Sequence, residues 1–142
     1  MKINTEKFGE INIDENLVFE FVEPIIGYEN LKKYVLVEHA ENSAFKWLQS
    51  IEDESLAFPV STPAYFDIDY QFEIPTDVAE KINLTSVESL ISLNIVTIPQ
   101  GKPRNSTINL LAPIIINATN KKGMQLILSN SNYPVKQPLF KD

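Results

Sequence analysis

Apolar and polar residues alternate along much of the chain with a period of two, the repeat of a strand with one face on a core. A polar-edged segment begins at Ile3, and Ile11 and Ile13 alternate with Asn12 and Asp14. Leu17-Val18-Phe19-Glu20-Phe21 continues as a strand that the turn formers Pro24 and Gly27 end. Tyr34-Val35-Leu36-Val37-Glu38 is dense in β-branched and aromatic residues. Phe45 to Ser50 alternates loosely, an acidic turn follows at Glu52-Asp53-Glu54-Ser55, and Leu56 to Val60 reads as the return strand of a hairpin. Pro59 has no N–H to give a ladder, so it predicts an edge position or a bulge. Phe66 to Ile74 predicts another strand, with the aromatic and apolar residues of Tyr70-Gln71-Phe72-Glu73-Ile74 on one face. The longest apolar runs, Leu90 to Ile98 and Thr107 to Ile116, are expected to cross the core, and Met124 to Leu128 supplies a last strand.

Helix signals are few. Thr76 is placed to cap a helix running to Ile82, with Val78, Ile82 and Leu84 on one face. Thr85-Ser86-Val87-Glu88 has the spacing of a second short cap, and Tyr28 to Lys33 predicts one helical turn. About eight short strands separated by turn residues favour a barrel or a barrel-like sandwich over a βαβ sheet. The expected fold is mainly β: one domain over residues 1–142, a distorted and partly open antiparallel β-barrel-like structure with one or two short helices. Gly101 to Ser106 is the most loop-like stretch, and the polar, proline-bearing tail from Pro134 is expected to be mobile.

Composition narrows the chemistry. The 142 residues include no cysteine, which excludes disulfide scaffolds, thiolate metal sites and cysteine nucleophiles. His39 is the only histidine, so a multi-histidine metal site is excluded and any serine–histidine pair would have to use that residue. No apolar run approaches the ~20 residues of a membrane span, and the start, Met1 to Lys7, lacks the apolar centre of a signal peptide. The expectation is a cytoplasmic protein without a cofactor. Lysine plus arginine number 12 and aspartate plus glutamate 19, a net charge of −7. That sign opposes direct binding to nucleic acid and attracts basic proteins, although acidic charge is also ordinary solubility chemistry.

Candidate chemistry is sparse. Asp67 and Asp69 would share one side of a strand, as a glycosidase pair or an oxygen-ligand cation site requires; the plainer reading is a solvated acidic loop. Glu52-Asp53-Glu54 reads first as a hairpin turn and second as a binding element. His39, beside Glu38 and Glu41, is a lone histidine of ordinary kind. Trp47, Tyr65, Phe66, Tyr70 and Phe72 are expected in the core, but Tyr70 next to Asp69 also has the make-up of a protein-binding hot spot. Two rivals remain on this basis: a carbohydrate-active β domain using Asp67 and Asp69, and a small-ligand barrel with an open apolar cavity.

Particular segments resemble the flagellar assembly factor FliW family. They are Phe8-Gly9-Glu10-Ile11, Trp47-Leu48-Gln49-Ser50-Ile51-Glu52-Asp53, Leu56-Ala57-Phe58, Asp69-Tyr70, Thr107 to Asn117, and Gln125-Leu126-Ile127-Leu128 with Asn130-Ser131. They follow in order over nearly the whole chain. Phe21 to Glu29 departs from the family's turn, carrying Pro24 and Ile26 where the family has glycine and proline.

The resemblance implies a cytoplasmic, non-enzymatic regulator of flagellar assembly. Proteins of this family bind CsrA, a small basic RNA-binding dimer that represses flagellin mRNA translation, and they also bind flagellin. Partner switching between the two closes a feedback loop. A CsrA-facing surface is expected at Asp67, Asp69, Tyr70 and Glu73, with Glu52 and Asp53 as second candidates, because acid and aromatic residues cluster there. Asn109-Leu110-Leu111-Ala112-Pro113 is expected to be a core strand in preference to a contact site; the alternative has Asn109 and Asn117 satisfying buried backbone near a bulge made by Pro113.

Overall fold

A computed structural model describes residues 1–38 and 43–140. His39 and Glu41 lie outside the described residues. Eleven strands form among the described residues: β1 Lys2–Thr5, β2 Gly9–Asn12, β3 Phe19–Phe21, β4 Lys33–Val37, β5 Lys46–Ser50, β6 Ala57–Ser61, β7 Leu90–Thr97, β8 Thr107–Ile108, β9 Ile114–Asn117, β10 Lys122–Gln125 and β11 Gln137–Pro138. The one α-helix among the described residues is α1, Thr76–Lys81.

Seven strands close on themselves in the order β7-β6-β5-β4-β3-β10-β9, because β7 also pairs with β9. The barrel-like expectation therefore holds, with two refinements. The ring is closed, and the β3–β10 pairing is parallel where an antiparallel set was expected. Lys122 lies opposite Glu20 in that parallel pair, and the two form an ion pair across it.

The continuous apolar runs reflect strands covered on both faces. In β9, Ile114 and Ile116 point into the barrel with Phe21, Tyr34, Leu48 and Val60. Ile115 points outward and is covered by Val78 and Ile82, at α1 and its C-terminal end, and by Met124 and Leu126. All three isoleucines are fully buried. The interior is thus packed with side chains, which removes the open central cavity that the small-ligand barrel needs. A third cluster, Val96, Ile108, Leu110 and Leu139, joins the β8–β11 pair to the barrel.

That third cluster reaches into the segment after Pro134. Gln137 and Pro138 pair with β8, Leu139 donates its N–H to the Ser106 carbonyl at 3.1 Å, and its side chain is buried. An apolar residue three positions from the chain end provides the anchor that the polar composition concealed.

The run Thr107 to Ile116 is interrupted between β8 and β9. Asn109 Oδ1 accepts the N–H groups of Leu111 and Ala112, both at 3.0 Å, so residues 109–113 bow out of the ladder while Leu110 and Ala112 stay buried. Asn117 donates to the carbonyls of Ile82 and Asn83 and accepts from the Thr119 N–H. Both asparagines thus satisfy backbone groups, as the alternative reading has it.

Other local expectations shift. Pro59 is not on an edge: β6 lies between β5 and β7, but its β7 ladder starts only at Val60. Tyr28 to Lys33 forms turns instead of a helical turn, ordered by Glu29 Oε1 accepting the Gly27 N–H, with Gly27 at φ +93°. Pro75 takes the cap position of α1, leaving Thr76 as its first residue. Ser86, one residue beyond Thr85, caps the 3₁₀ turn Val87–Ser89 by accepting the Glu88 N–H at 3.2 Å.

Candidate protein-binding interface

β6 runs directly into a 3₁₀ turn, Pro63–Phe66, where Pro63 occupies a first-turn position that needs no N–H donor. Asp67 ends the turn in the left-handed region at φ +57°, which a short acidic side chain tolerates. From Ile68 the chain runs extended to Pro75 without joining any sheet. The expected strand from Phe66 to Ile74 is therefore absent, although its alternation is real. Ile68, Tyr70, Phe72 and Ile74 are half-buried, while Asp69, Gln71 and Glu73 are exposed.

The two aspartates consequently do not share a strand face. Asp67 sits on a left-handed turn and Asp69 on extended chain, both exposed and neither carboxylate hydrogen-bonded among the described residues. This arrangement lacks the enclosed, paired geometry of a glycosidase site. Nor does any group of three or more acidic or histidine side chains among the described residues gather to hold a metal ion.

Tyr70 faces inward. Its hydroxyl donates to the Leu110 carbonyl at 2.7 Å and lies 3.3 Å from Asn94 Nδ2. Its ring meets Tyr133 edge-on at 4.7 Å between centroids. Burial pushes the phenol up to about 12. What the hot-spot reading places outside is mostly a peg holding the extended segment to the barrel. Tyr133 adds a second tie, its hydroxyl donating to the Gln71 carbonyl and accepting from the Gln71 N–H. Tyr65 is the aromatic that leaves the core, at 67% exposure.

Glu52 and Asp53 lie apart from these residues, beyond the opposite end of the β5–β6 ladder. Glu52 Oε1 accepts the N–H groups of Lys32 and Lys33 at 2.6 and 2.8 Å, which holds its carboxyl below the usual range. Asp53 is lowered by its bonds from Ser55, first the hydroxyl and then the N–H. Ser50 Oγ accepts the N–H groups of Glu52 and Asp53. These residues build the turn, and the six expected site residues do not form one patch.

Around the extended segment there is a groove of about 790 Å³. One wall is Thr62 to Ile74; the other runs from Ala79 through Leu84 and Val87 to β7, whose Asn94 also lines it. Every charged residue adjoining a lining residue in sequence is acidic: Asp67, Asp69, Glu73, Glu80 and Glu88, all exposed. Among the described residues none of these five is ion-paired. The lysine partners go elsewhere, in Lys2–Glu10, Lys46–Glu38, Lys81–Glu23 and Lys122–Glu20. Glu80, Glu88 and the apolar wall are the part that the sequence reading missed. A signal was available: between Lys46 and Lys81 the chain has no basic residue at all.

The sequence matches the family model described as "FliW protein" over residues 2–139. The chain belongs to the FliW family. Flagellar assembly factor FliW of Caldicellulosiruptor saccharolyticus is 38% identical over 140 residues, covering 99% of this chain and 91% of that protein. The FliW of Thermotoga neapolitana is 40% identical, with coverages of 99% and 94%. The FliW of Clostridium kluyveri is 43% identical over 143 residues, with coverages of 99% and 97%. A crystal structure of the flagellar assembly factor FliW superposes with a TM-score of 0.90 at 31% identity, covering 99% of this chain and 98% of that one.

Membership makes this chain a flagellar assembly factor of the FliW kind. The segments that carry the family likeness are largely architectural: Gln49 to Asp53 shapes the β5–β6 turn, and Asn109 to Asn117 forms the bow and strand over the core. No helix among the described residues is long and apolar enough to cross a membrane.

Proposed function

We propose that this FliW-family chain is a cytoplasmic, non-enzymatic regulator that binds the basic translational repressor CsrA, relieves its repression of flagellin mRNA, and exchanges it for flagellin in a partner-switching loop. The observation that carries this reading is the exposed acid without an ion-pair partner, among the described residues, along the stretch from Asp67 to Glu88. A basic RNA-binding partner gains Coulomb attraction on approach to such a stretch, which raises its association rate. Acid held near the RNA path repels phosphates, by about 1 kcal/mol or less for each exposed charge pair after screening. Several such contributions together shift RNA affinity by roughly one or two decades. In this reading Asp67, Asp69 and Glu73 meet CsrA, Tyr70 holds their backbone in place, and Glu52 and Asp53 are secondary. Flagellin must use an overlapping or coupled surface, since otherwise it could not displace CsrA.

The test is capture of purified CsrA by the recombinant chain, with and without flagellin. The expected result is CsrA retained alone and released on adding flagellin. Failure to retain CsrA overturns the proposal. Asp69→Lys with Glu73→Lys, two exposed positions, is expected to lower CsrA affinity by about tenfold or more.

A further inference from the structure

We infer that the groove between the Thr62–Ile74 segment and β7 receives an extended, uncharged stretch of a partner polypeptide, which pairs with the free main-chain edge of residues 68–74 as an added strand. The inference goes beyond the CsrA reading and does not use the acidic side chains on which that reading stands.

The main chain carries the argument. Residues 68–74 are extended and belong to no ladder. Between Asp69 and Ile74, the only main-chain groups hydrogen-bonded among the described residues are those of Gln71, both engaged by the Tyr133 hydroxyl at 3.0 and 2.8 Å. Successive residues of an extended chain turn their N–H and C=O groups to opposite edges. Tyr133 therefore marks one edge, and the groups of Tyr70, Phe72 and Ile74 point from the other. Tyr133 lines a depression on its own side together with Glu73 and Leu128. It does not line the groove, which Tyr70, Phe72 and Ile74 share with Leu90, Ser92 and Asn94. The groove thus lies along the free edge. A row of unpaired N–H and C=O groups is a template for another strand. At ~3.3 Å per residue the edge is roughly 20 Å long, room for about six residues of a partner.

The lining sets the chemistry of that strand. No charged side chain lines the groove; its walls are apolar, as at Phe72, Leu84 and Val87, or neutral and polar. The hydroxyls of Thr62, Thr85 and Ser92 make no hydrogen bond among the described residues. Asn94, fully buried among the lining residues, donates to the Asn109 carbonyl at 2.9 Å and leaves its Oδ1 without a partner. Native interiors rarely leave such an atom unpaired. Asp67 and Asp69 line one separate depression and Glu73 another. A charged occupant would give up hydration here without gaining a counter-ion, so the groove fits a neutral segment and excludes nucleic acid.

The probe is a blocked six-residue peptide of alternating threonine and valine, which carries no charge. Two further versions are N-methylated, one on every valine amide and one on every threonine amide, so that each loses the donors of one edge. Binding to the full chain is followed by backbone amide shifts. The unmodified peptide is expected to shift Tyr70, Phe72 and Ile74. One methylated version should bind about tenfold more weakly than the other, since only one edge meets the chain. Val87→Asp, at an exposed lining position, should weaken binding about tenfold by placing a charge in the groove. Asp69→Lys with Glu73→Lys should lower CsrA affinity, as above, while leaving peptide affinity within about twofold.

Equal affinity of the two methylated peptides, no binding of the unmodified one, or shifts centred elsewhere on the barrel overturns the inference. So does loss of peptide binding in the Asp69→Lys, Glu73→Lys variant. Sedimentation of the free chain as a dimer that the peptide dissociates would make a second copy the occupant and likewise overturn it. Peptide binding along residues 68–74 without CsrA capture sustains the inference while refuting the CsrA reading. CsrA capture with no peptide binding does the reverse.

Discussion

Gly123 in β10 lies opposite Ile116 in β9, so close that a Cβ on the glycine would stand 2.9 Å from Ile116 Cγ1. The Ile115 carbonyl would be 3.1 Å away and the Phe21 ring 3.3 Å. The glycine's backbone is ordinary, so space alone demands it, at the point where the parallel β3–β10 pair closes the barrel. Gly123→Ala is expected to destabilise the fold by about 1–2 kcal/mol, the overpacking cost less the entropy that alanine removes from the unfolded chain. A drop in Tm of about 3–8 °C in thermal unfolding would register it.

Asn117 joins the end of α1 to the barrel. Its amide bridges the carbonyls of Ile82 and Asn83 at 2.9 and 3.0 Å from a buried position. Ile82 retains a second donor in Asn120, whereas no second side-chain bond serves the Asn83 carbonyl. Asn117→Ala is expected to cost about 1–2 kcal/mol, for the bonds lost at the Asn83 carbonyl and the Thr119 N–H. Urea unfolding measures the loss.

Tyr70 offers a pH test. Burial pushes both Tyr70 and Tyr34 up from 10.0 to about 12. A folded-state value above the unfolded one means the unfolded chain releases its proton first as pH rises. Stability should therefore be intact below pH 10 and decline as pH climbs toward about 12. Tyr70→Phe should flatten part of that decline, and at neutral pH should cost about 1–2 kcal/mol by freeing the Leu110 carbonyl. Alkaline unfolding curves of the two proteins decide it: identical slopes above pH 10 would remove Tyr70 from the account.

These residues also show how far the sequence could be read. The β5–β6 hairpin and β7 were legible because their alternation coincides with ladder pairing. From Ile68 to Ile74 the alternation is equally clean, yet no ladder exists. Period-two patterning reports which side chains face a core, and an extended chain pinned by side chains satisfies it without a neighbour. Tyr70 and Tyr133 do the pinning here, and Tyr133 is 62 positions away from its partner Gln71. Closure through β7–β9 and the parallel β3–β10 pair likewise depends on long-range register that no local pattern encodes.

For the interface, the acids were visible and the groove was not. Its walls come from segments that meet only after folding, and Leu84 and Val87 look like ordinary core residues in the sequence. For Tyr70 the sequence leaves two readings open, because an aromatic beside an acid fits a hot spot and a buried peg equally until the partner of its hydroxyl is known.

Glu52 provides the acid-side counterpart. It accepts the N–H groups of Lys32 and Lys33, which open β4, and this holds its carboxyl below the ordinary 4.5. A folded-state value under the unfolded one means that the unfolded chain takes up the proton first as pH falls. The contribution is thus complete above the ordinary value and lost as pH drops through the folded one. Glu52→Gln keeps the shape and one acceptor but removes the charge. It should destabilise at neutral pH by about 1 kcal/mol, a charged-acceptor bond discounted for its exposure to water. The gap between the two proteins should narrow below pH 4.5 and close in stronger acid. Chemical denaturation at a series of pH values follows that gap directly. A constant gap across the series would mean that geometry and not charge makes Glu52 matter, and that the β4 start needs an oxygen there without needing an anion.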